Sequence, residues 1–363
     1  PRGARLMEPV YAPLSAIVGP DAAVAALAAL GDRGGPVPPL LLHGPDGVGK
    51  RSAAVAFAAA LVCRQPRGAD ACGVCPHCRR FADLEATTAM REGSTNADST
   101  TVYPDAGLVG TPKGKTRISV LQARDVIASM GVRPYELERR IYIVDPADKM
   151  NPAAANALLK LLEEPPSYGV IVLVTAAPWS LPITVRSRLR QIRFRPLGDA
   201  DLARLLAARG VAPAEAAARV AQARGSIARA LDGDPKKERE RIEKWTAILE
   251  RFDACLPAEL AAAASEEFGK KPDLAASELD LLTELLADLA AVAEGAPPRL
   301  LDAEQAARLA PLADRLLGPL RERPRLVDRL RRELTIFNRN PRLTIEGAVL
   351  ALAGRLRPRD LQG

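Results

Sequence analysis

Residues 40–62 read LLLHGPDGVGKRSAAVAFAAALV, and no other stretch constrains the fold so tightly. Leu40 to His43 form a short apolar run, a glycine-rich turn follows, and an alanine-rich segment then supplies a helix. Gly44, Gly49 and Lys50 match G-x-x-x-x-G-K, with Gly47 inside the turn, in the strand–turn–helix context that this loop requires. Backbone amides in such a loop converge at a helix N-terminus, where they and the Lys50 cation can cradle phosphates. The alternation of strands and helices continues to about Pro196 and argues for a parallel α/β sheet.

Two groups that a hydrolytic site of this kind needs are missing. The position after the loop lysine normally carries Ser or Thr, whose hydroxyl holds magnesium. Here it is Arg51, and Ser52 comes one place late, rotated about 100° around the helix. Further on, the run IYIVDPADKM (141–150) reads as a buried parallel strand that delivers Asp145 to the edge of a nucleotide site. Many ATPases place a water-activating glutamate next; this chain has Pro146. Phosphoryl transfer draws nearly all its rate from metal and positioned groups. Efficient hydrolysis is therefore not expected, while binding of ATP with Mg2+ is left open.

Cys63, Cys72, Cys75 and Cys78 are spaced C-x8-C-x2-C-x2-C. Two-residue gaps let neighbouring thiolates fold around one tetrahedral ion, and four thiolates close its shell, as in a structural zinc site. Disulfides suit a small secreted domain better than a long basic chain, and four unliganded thiols are the bland alternative. His77 is a second-choice ligand. Cys255 reads as a small buried apolar residue in helical sequence.

Elsewhere the polar stretch from about Glu92 to Lys115 reads as a surface loop, with Ser94, Thr95, Asn96, Ser99, Thr100 and Thr101 in its first part and Gly110, Pro112 and Gly114 in its second. ISVLQARDVIASM predicts a helix with Val120, Leu121, Val126 and Ile127 inward. Asn151 caps a helix through AAANALLKLLEE, with Pro152 in its first turn and Pro165-Pro166 as its stop. GVIVLVTAA is a second buried strand, and TVRSRLRQIRF gives a short helix leading into an edge strand. After Pro196 only helical patterns appear.

GPDGVGKR, the four-cysteine insert, YIVDPADKMNPAAANALLKLLEEPP and VRSRLRQIRF occur in an order that resembles bacterial clamp-loader AAA+ proteins. Within that family the chain is similar to the delta-prime type, strongly over the first ~200 residues and again at FNRNPRLTIEGAVLAL. The resemblance implies an AAA+ P-loop domain over 1–197 with a zinc module at 63–78, a helical lid over 198–240 and a helical collar over 241–363. It implies a hetero-pentamer with gamma/tau and delta subunits that opens a sliding clamp and closes it on primer–template DNA. In that family this subunit is a stator, and the motors hydrolyse ATP. The family's Ser-Arg-Cys motif matches Ser187-Arg188, with Leu189 in place of cysteine; its arginine reaches into a neighbouring motor's ATP site. The ordinary alternative for Arg188 is a solvated arginine among Arg186, Arg190 and Arg193. Thr175 matches the sensor position beside the phosphates, or simply caps a strand. Pro20 in AIVGP and Arg229 in GSIARAL depart from the motor pattern.

Two other readings compete: an active gamma/tau-like motor using Ser52 and an acid such as Glu163 or Glu164, and a P-loop small-molecule kinase. Composition narrows the setting. The 363 residues are 48% apolar and 26% charged, with a net charge of +7, as expected of a globular chain with room for two or three domains. The charge permits a polyanionic partner, or marks only a basic surface. Ala53–Val62, the longest apolar run, is too short to span a bilayer. The N-terminus lacks a signal-like charged head and apolar core, and Met7 offers a natural start. A cytoplasmic, reducing compartment is the default expectation, with no membrane partner.

Overall fold

The computed structural model describes residues 13–18, 21–31, 35–79, 81, 101–103, 105–112, 115–270, 272–298, 300–317, 327, 329–330, 334 and 340–354. Met7, Pro20, Gly114 and Ser94–Thr100 lie outside the described residues. Six strands make one sheet: β1 (Leu40–His43), β2 (Thr101–Tyr103), β3 (Ala106–Val109), β4 (Arg140–Val144), β5 (Gly169–Thr175) and β6 (Arg190–Arg193), in the order β2-β3-β4-β5-β1-β6. All neighbours are parallel except β2, which runs antiparallel to β3.

Both faces of the sheet are apolar, and this is why its central strands read as unbroken hydrophobic runs. Leu40, Leu42, Val170, Val172 and Val174 pack in one core with α1 (Asp21–Gly31) and α2 (Lys50–Val62). Leu41, Tyr142, Val144, Ile171 and Leu173 pack in another with α3 (Val120–Met130), α4 (Pro152–Ala157), α5 (Leu159–Glu163) and α6 (Ile183–Arg186). Leu40, Leu41 and Leu42 are fully buried, each a gain of about 1.5–3 kcal/mol over an exposed side chain. Asn151 caps α4 by accepting the Ala154 amide at 2.7 Å, and a break at Leu158 divides the helical segment into α4 and α5.

The surface-loop expectation for 92–115 is corrected at its centre, because β2 and β3 lie there and β3 is buried throughout. What orders this region is Asp105, fully buried at the β2–β3 turn. Its carboxylate accepts the amides of Tyr135, Glu136 and Leu137 at 2.6–2.9 Å and the Arg140 guanidinium at 2.8 Å. A four-residue strand flanked by polar residues is too short to announce itself by periodicity. In α3, Leu121 is 65% exposed and not inward. Gln122 takes the inner position: it forms a capping box with Ser119 and donates to Gly110 O at 2.9 Å. Cys255 is half-buried in a bend, not inside a helix.

The chain divides into two compact units, residues 1–232 and 233–363. In the first, α7 (Asp199–Ala207), α8 (Pro213–Ala223) and α9 (Ile227–Asp232) enclose a small core of Leu197, Leu202, Leu206, Ala216, Ala223 and Ala230. The second is helical over its described residues: α10 (Pro235–Glu250), α11 (Pro257–Phe268), α12 (Pro272–Ala293), α13 (Ala303–Leu309), α14 (Ala313–Leu317) and α15 (Pro341–Leu352). Its core holds Trp245 stacked on Phe268 at 4.4 Å, with the indole N–H donating to buried Glu278 at 3.0 Å. Among the described residues no helix is long and apolar enough to cross a membrane.

Candidate functional site: an altered phosphate loop, a cysteine cluster and an exposed arginine

Strand order brings the carboxyl ends of β1, β5 and β4 together, since β5 lies between the other two and His43 registers with Thr175. Ligands of open α/β sheets bind at such ends. The loop after β1 bends through Gly44 (φ +151°) and Gly47 (φ +72°), and Gly49 caps α2. At Gly44 a Cβ would meet Phe194 O at 2.2 Å, and at Gly47 it would meet Ser226 Oγ at 2.1 Å. Only glycine fits either position.

The loop satisfies its own lysine. Lys50 is buried, and its Nζ donates to Gly44 O at 2.8 Å and Pro45 O at 2.5 Å. Burial lowers its pKa, against the opposing pull of Asp46, Asp145 and Asp148. Arg51 reaches back, its Nε lying 3.7 Å from Asp145 Oδ2. Burial raises the Asp145 carboxyl, while the Arg51 and Lys50 charges pull it down. The guanidinium thus stands against the carboxylate at the end of β4, and Ser52 is exposed on α2. With the hydroxyl absent and its carboxylate partner already paired, these residues do not fit Mg2+. The Asp145–Pro146 peptide is cis.

Thr175 is buried at the end of β5; its hydroxyl donates to Asp148 at 2.6 Å and accepts the Ala177 amide at 2.9 Å. Asp148 is the site residue that sequence reasoning missed. It stands three places after Asp145 in a short turn, and only the neighbouring β5 reveals its partner. The Gly47 carbonyl accepts the amides of Ile227 at 2.9 Å and Ala228 at 3.4 Å. This stitches the loop directly to α9, and Arg229 sits exposed in that helix.

The four cysteines come together after α2, with every sulfur within 4.8 Å of the others. Cys72 and Cys78 sulfurs are 3.8 Å apart, and those of Cys75 and Cys78 are 3.4 Å apart. A tetrahedral four-thiolate site with metal–sulfur bonds near 2.3 Å has edges of about 3.8 Å. The cluster could therefore hold one metal ion. Amides of Gln65 and Cys72 point at the Cys63 sulfur, and that of Cys75 at the Cys72 sulfur. Burial opposes ionisation of Cys75, but backbone amides of Cys78 and Arg64 overcome it and hold the thiol down to about 6. His77 lies outside the cluster: its Nδ1 faces Val62 O at 2.8 Å. Asp70 ties the module to the N-terminal segment by accepting the Ser15 amide at 2.9 Å.

Arg188 follows α6 on an exposed turn, its side chain 34% accessible. It pairs with Glu163 at the end of α5 and donates to Thr184 O at 2.7 Å. Arg186 is half-buried, and Arg190 and Arg193 are exposed on β6.

A glycine-bent phosphate loop on the carboxyl ends of a parallel sheet, with an acid at the end of the next strand but one, defines a P-loop α/β protein. Its residues 22–198 match the family model described as DNA polymerase III, delta subunit. The delta-prime subunit of Pseudomonas aeruginosa is 36% identical over 177 residues, covering 48% of this chain and 49% of that protein. The delta-prime subunit of Bacillus subtilis is 34% identical over 157 residues, 43% of this chain and 42% of its own. The tau subunit of Escherichia coli is 32% identical over 162 residues, 43% of this chain and 21% of its own. Among solved structures, a gamma subunit-related protein of Thermotoga maritima aligns over 92% of this chain and 99% of its own, at 17% identity and a TM-score of 0.40. That score is too low for the likeness to carry weight. Over residues 22–198 the chain is similar to delta-prime subunits of DNA polymerase III. It spans about half the length of the delta-prime relatives it matches.

Proposed function

We propose that this chain is a non-hydrolysing, delta-prime-type subunit of a DNA polymerase III clamp loader. The reading rests above all on the pair Arg51–Asp145, which puts a guanidinium where a hydrolytic site needs a hydroxyl and a metal. Pro146, with no acid or base to offer, points the same way. The subunit would contribute structure at its own loop and chemistry at its neighbour's. The chemistry falls to Arg188. An exposed guanidinium offered in trans stabilises charge building on a transferring γ-phosphoryl group, at a gain of about 10³–10⁵ in rate where such fingers are known.

The remaining assignments follow from the same reading. Cys63, Cys72, Cys75 and Cys78 hold a structural zinc, which neutralises the thiolates and fixes the loop after α2, a role suited to a closed shell of four ligands. Residues 198–240 act as the lid and 241–363 as the collar of a cytoplasmic hetero-pentamer with gamma/tau and delta subunits, acting on the sliding clamp and primer–template DNA. Basic side chains would meet DNA through its phosphates, a salt-dependent and sequence-blind contact.

The purified chain, given Mg2+ and ATP with clamp and primed DNA as stimulants, is expected to show no turnover. Added to the other loader subunits, it should restore clamp loading. Robust turnover by the chain alone, abolished by Lys50→Ala, would overturn the assignment in favour of a motor.

A further inference from the structure

We infer that Glu163 is a positioning residue for Arg188, holding the guanidinium ready for a phosphate on a neighbouring subunit. The inference rests on the reading of Arg188 as the arginine offered in trans, and adds to it how that side chain is set in place. An arginine on an exposed turn samples many rotamers, and a partner that needs one geometry must first order it. Here three contacts do this in advance. The Nε–H and one Nη2–H of Arg188 both face Oε1 of Glu163, and one Nη1–H donates to Thr184 O at 2.7 Å. The Ser187 hydroxyl lies 3.5 Å from Nη1, at the far limit of a hydrogen bond. A guanidinium has five N–H donors. The second Nη2–H is left over and the second Nη1–H has only the distant Ser187 hydroxyl, so the guanidinium keeps donors for the oxygens of a phosphate.

Both sides of the pair stay open to solvent, the side chains of Arg188 and Glu163 being 34% and 46% accessible. A phosphate can therefore approach without the pair having to break. The carboxylate comes from α5 and the arginine from the turn after α6, so the contact also fixes that turn against the end of α5. A latch that hid the arginine would bury the guanidinium or occupy its terminal fork. The observed contacts leave the guanidinium accessible, with an N–H of Nη2 still unused.

The test uses the assembled loader, with motor subunits, clamp and primed DNA, and reads the rate of ATP hydrolysis against ATP concentration. Glu163→Gln keeps the shape and removes the charge. It should lower kcat by on the order of 10- to 100-fold, as expected for a misplaced catalytic group, and leave KM for ATP unchanged. Glu163→Asp should recover part of the loss. The double variant Glu163→Gln/Arg188→Ala should be no slower than Arg188→Ala alone, because Glu163 acts only through Arg188; an additive loss would mean a separate structural role and overturn the inference. Thermal unfolding of Glu163→Gln should match the parent chain. If Arg188→Ala is slow while Glu163→Gln matches or exceeds the parent rate, the positioning role falls and the trans arginine stands. If Arg188→Ala itself matches the parent rate, the reading underneath has failed and the inference with it.

Discussion

Arg51 and Asp145 form an ion pair beside the phosphate loop, at the end of β4. The guanidinium brings a fixed positive charge to a carboxylate that burial disfavours, adding to the pull of Lys50. Removing it by Arg51→Ala should cost about 1–2 kcal/mol at neutral pH, discounted from the buried-pair range because Arg51 is 40% exposed. The pH dependence has a definite sign. The folded-state pKa of Asp145 is raised, so its protonation favours the fold below the ordinary carboxylate range, and that contribution fades as pH rises through the raised value. Without Arg51 the value climbs further. Urea unfolding of Arg51→Ala should therefore show a larger deficit at pH 8 than at pH 4; an equal deficit at both would mean the pair carries no charge energy.

The substitutions themselves are legible in the sequence, since Arg51 and Pro146 stand at fixed offsets from Lys50 and Asp145. What Arg51 does instead is not. Its partner lies 94 residues further on, and only the strand order brings the two together. Asp148 escapes for the same reason, because its contact is with a hydroxyl on a neighbouring strand.

At the level of elements, legibility follows length and pattern. β1, β4 and β5 are apolar runs buried on both faces, and the sequence marks each of them. β2 and β3 are short and lie in polar surroundings; a single buried carboxylate, Asp105, organises their turn. In α3 the hydrophobic pattern misleads because a capping box turns Gln122 inward and leaves Leu121 in solvent. The cysteine module is the opposite case, since ligand spacing alone predicts a cluster whose sulfurs do converge. Native mass spectrometry of freshly reduced protein should find one zinc per chain. Strong chelators, or Cys75→Ser, should release it and lower the thermal midpoint, because binding energy at such a site is folding energy. A protein free of metal at full stability would contradict the assignment.

Across the whole molecule, the phosphate loop remains as a joint. Gly47 accepts the first amides of α9, and Lys50 is held by carbonyls of its own loop. The Lys50 ammonium is thereby committed to its own loop, where a phosphate loop would offer that cation to a phosphate. Sequence pattern foretells the strand–turn–helix and the helical segment after Pro196, but not that the two are stitched through one glycine carbonyl. The unit 233–363 is equally plain as helix in the sequence, whereas its buried polar links, such as Glu278 with Trp245 and Arg241, appear only once the helices are packed. On the proposed function, a chain built in this way keeps a phosphate loop as structure and offers its chemistry at the exposed Arg188.

The measurement that tests this account most directly is the clamp- and DNA-stimulated ATPase rate of a loader assembled with the Arg188→Ala chain. A fall of several orders of magnitude is expected, in the range of about 10³–10⁵ known for arginines supplied in trans, with assembly of the complex intact. An unchanged rate in an intact complex would contradict it.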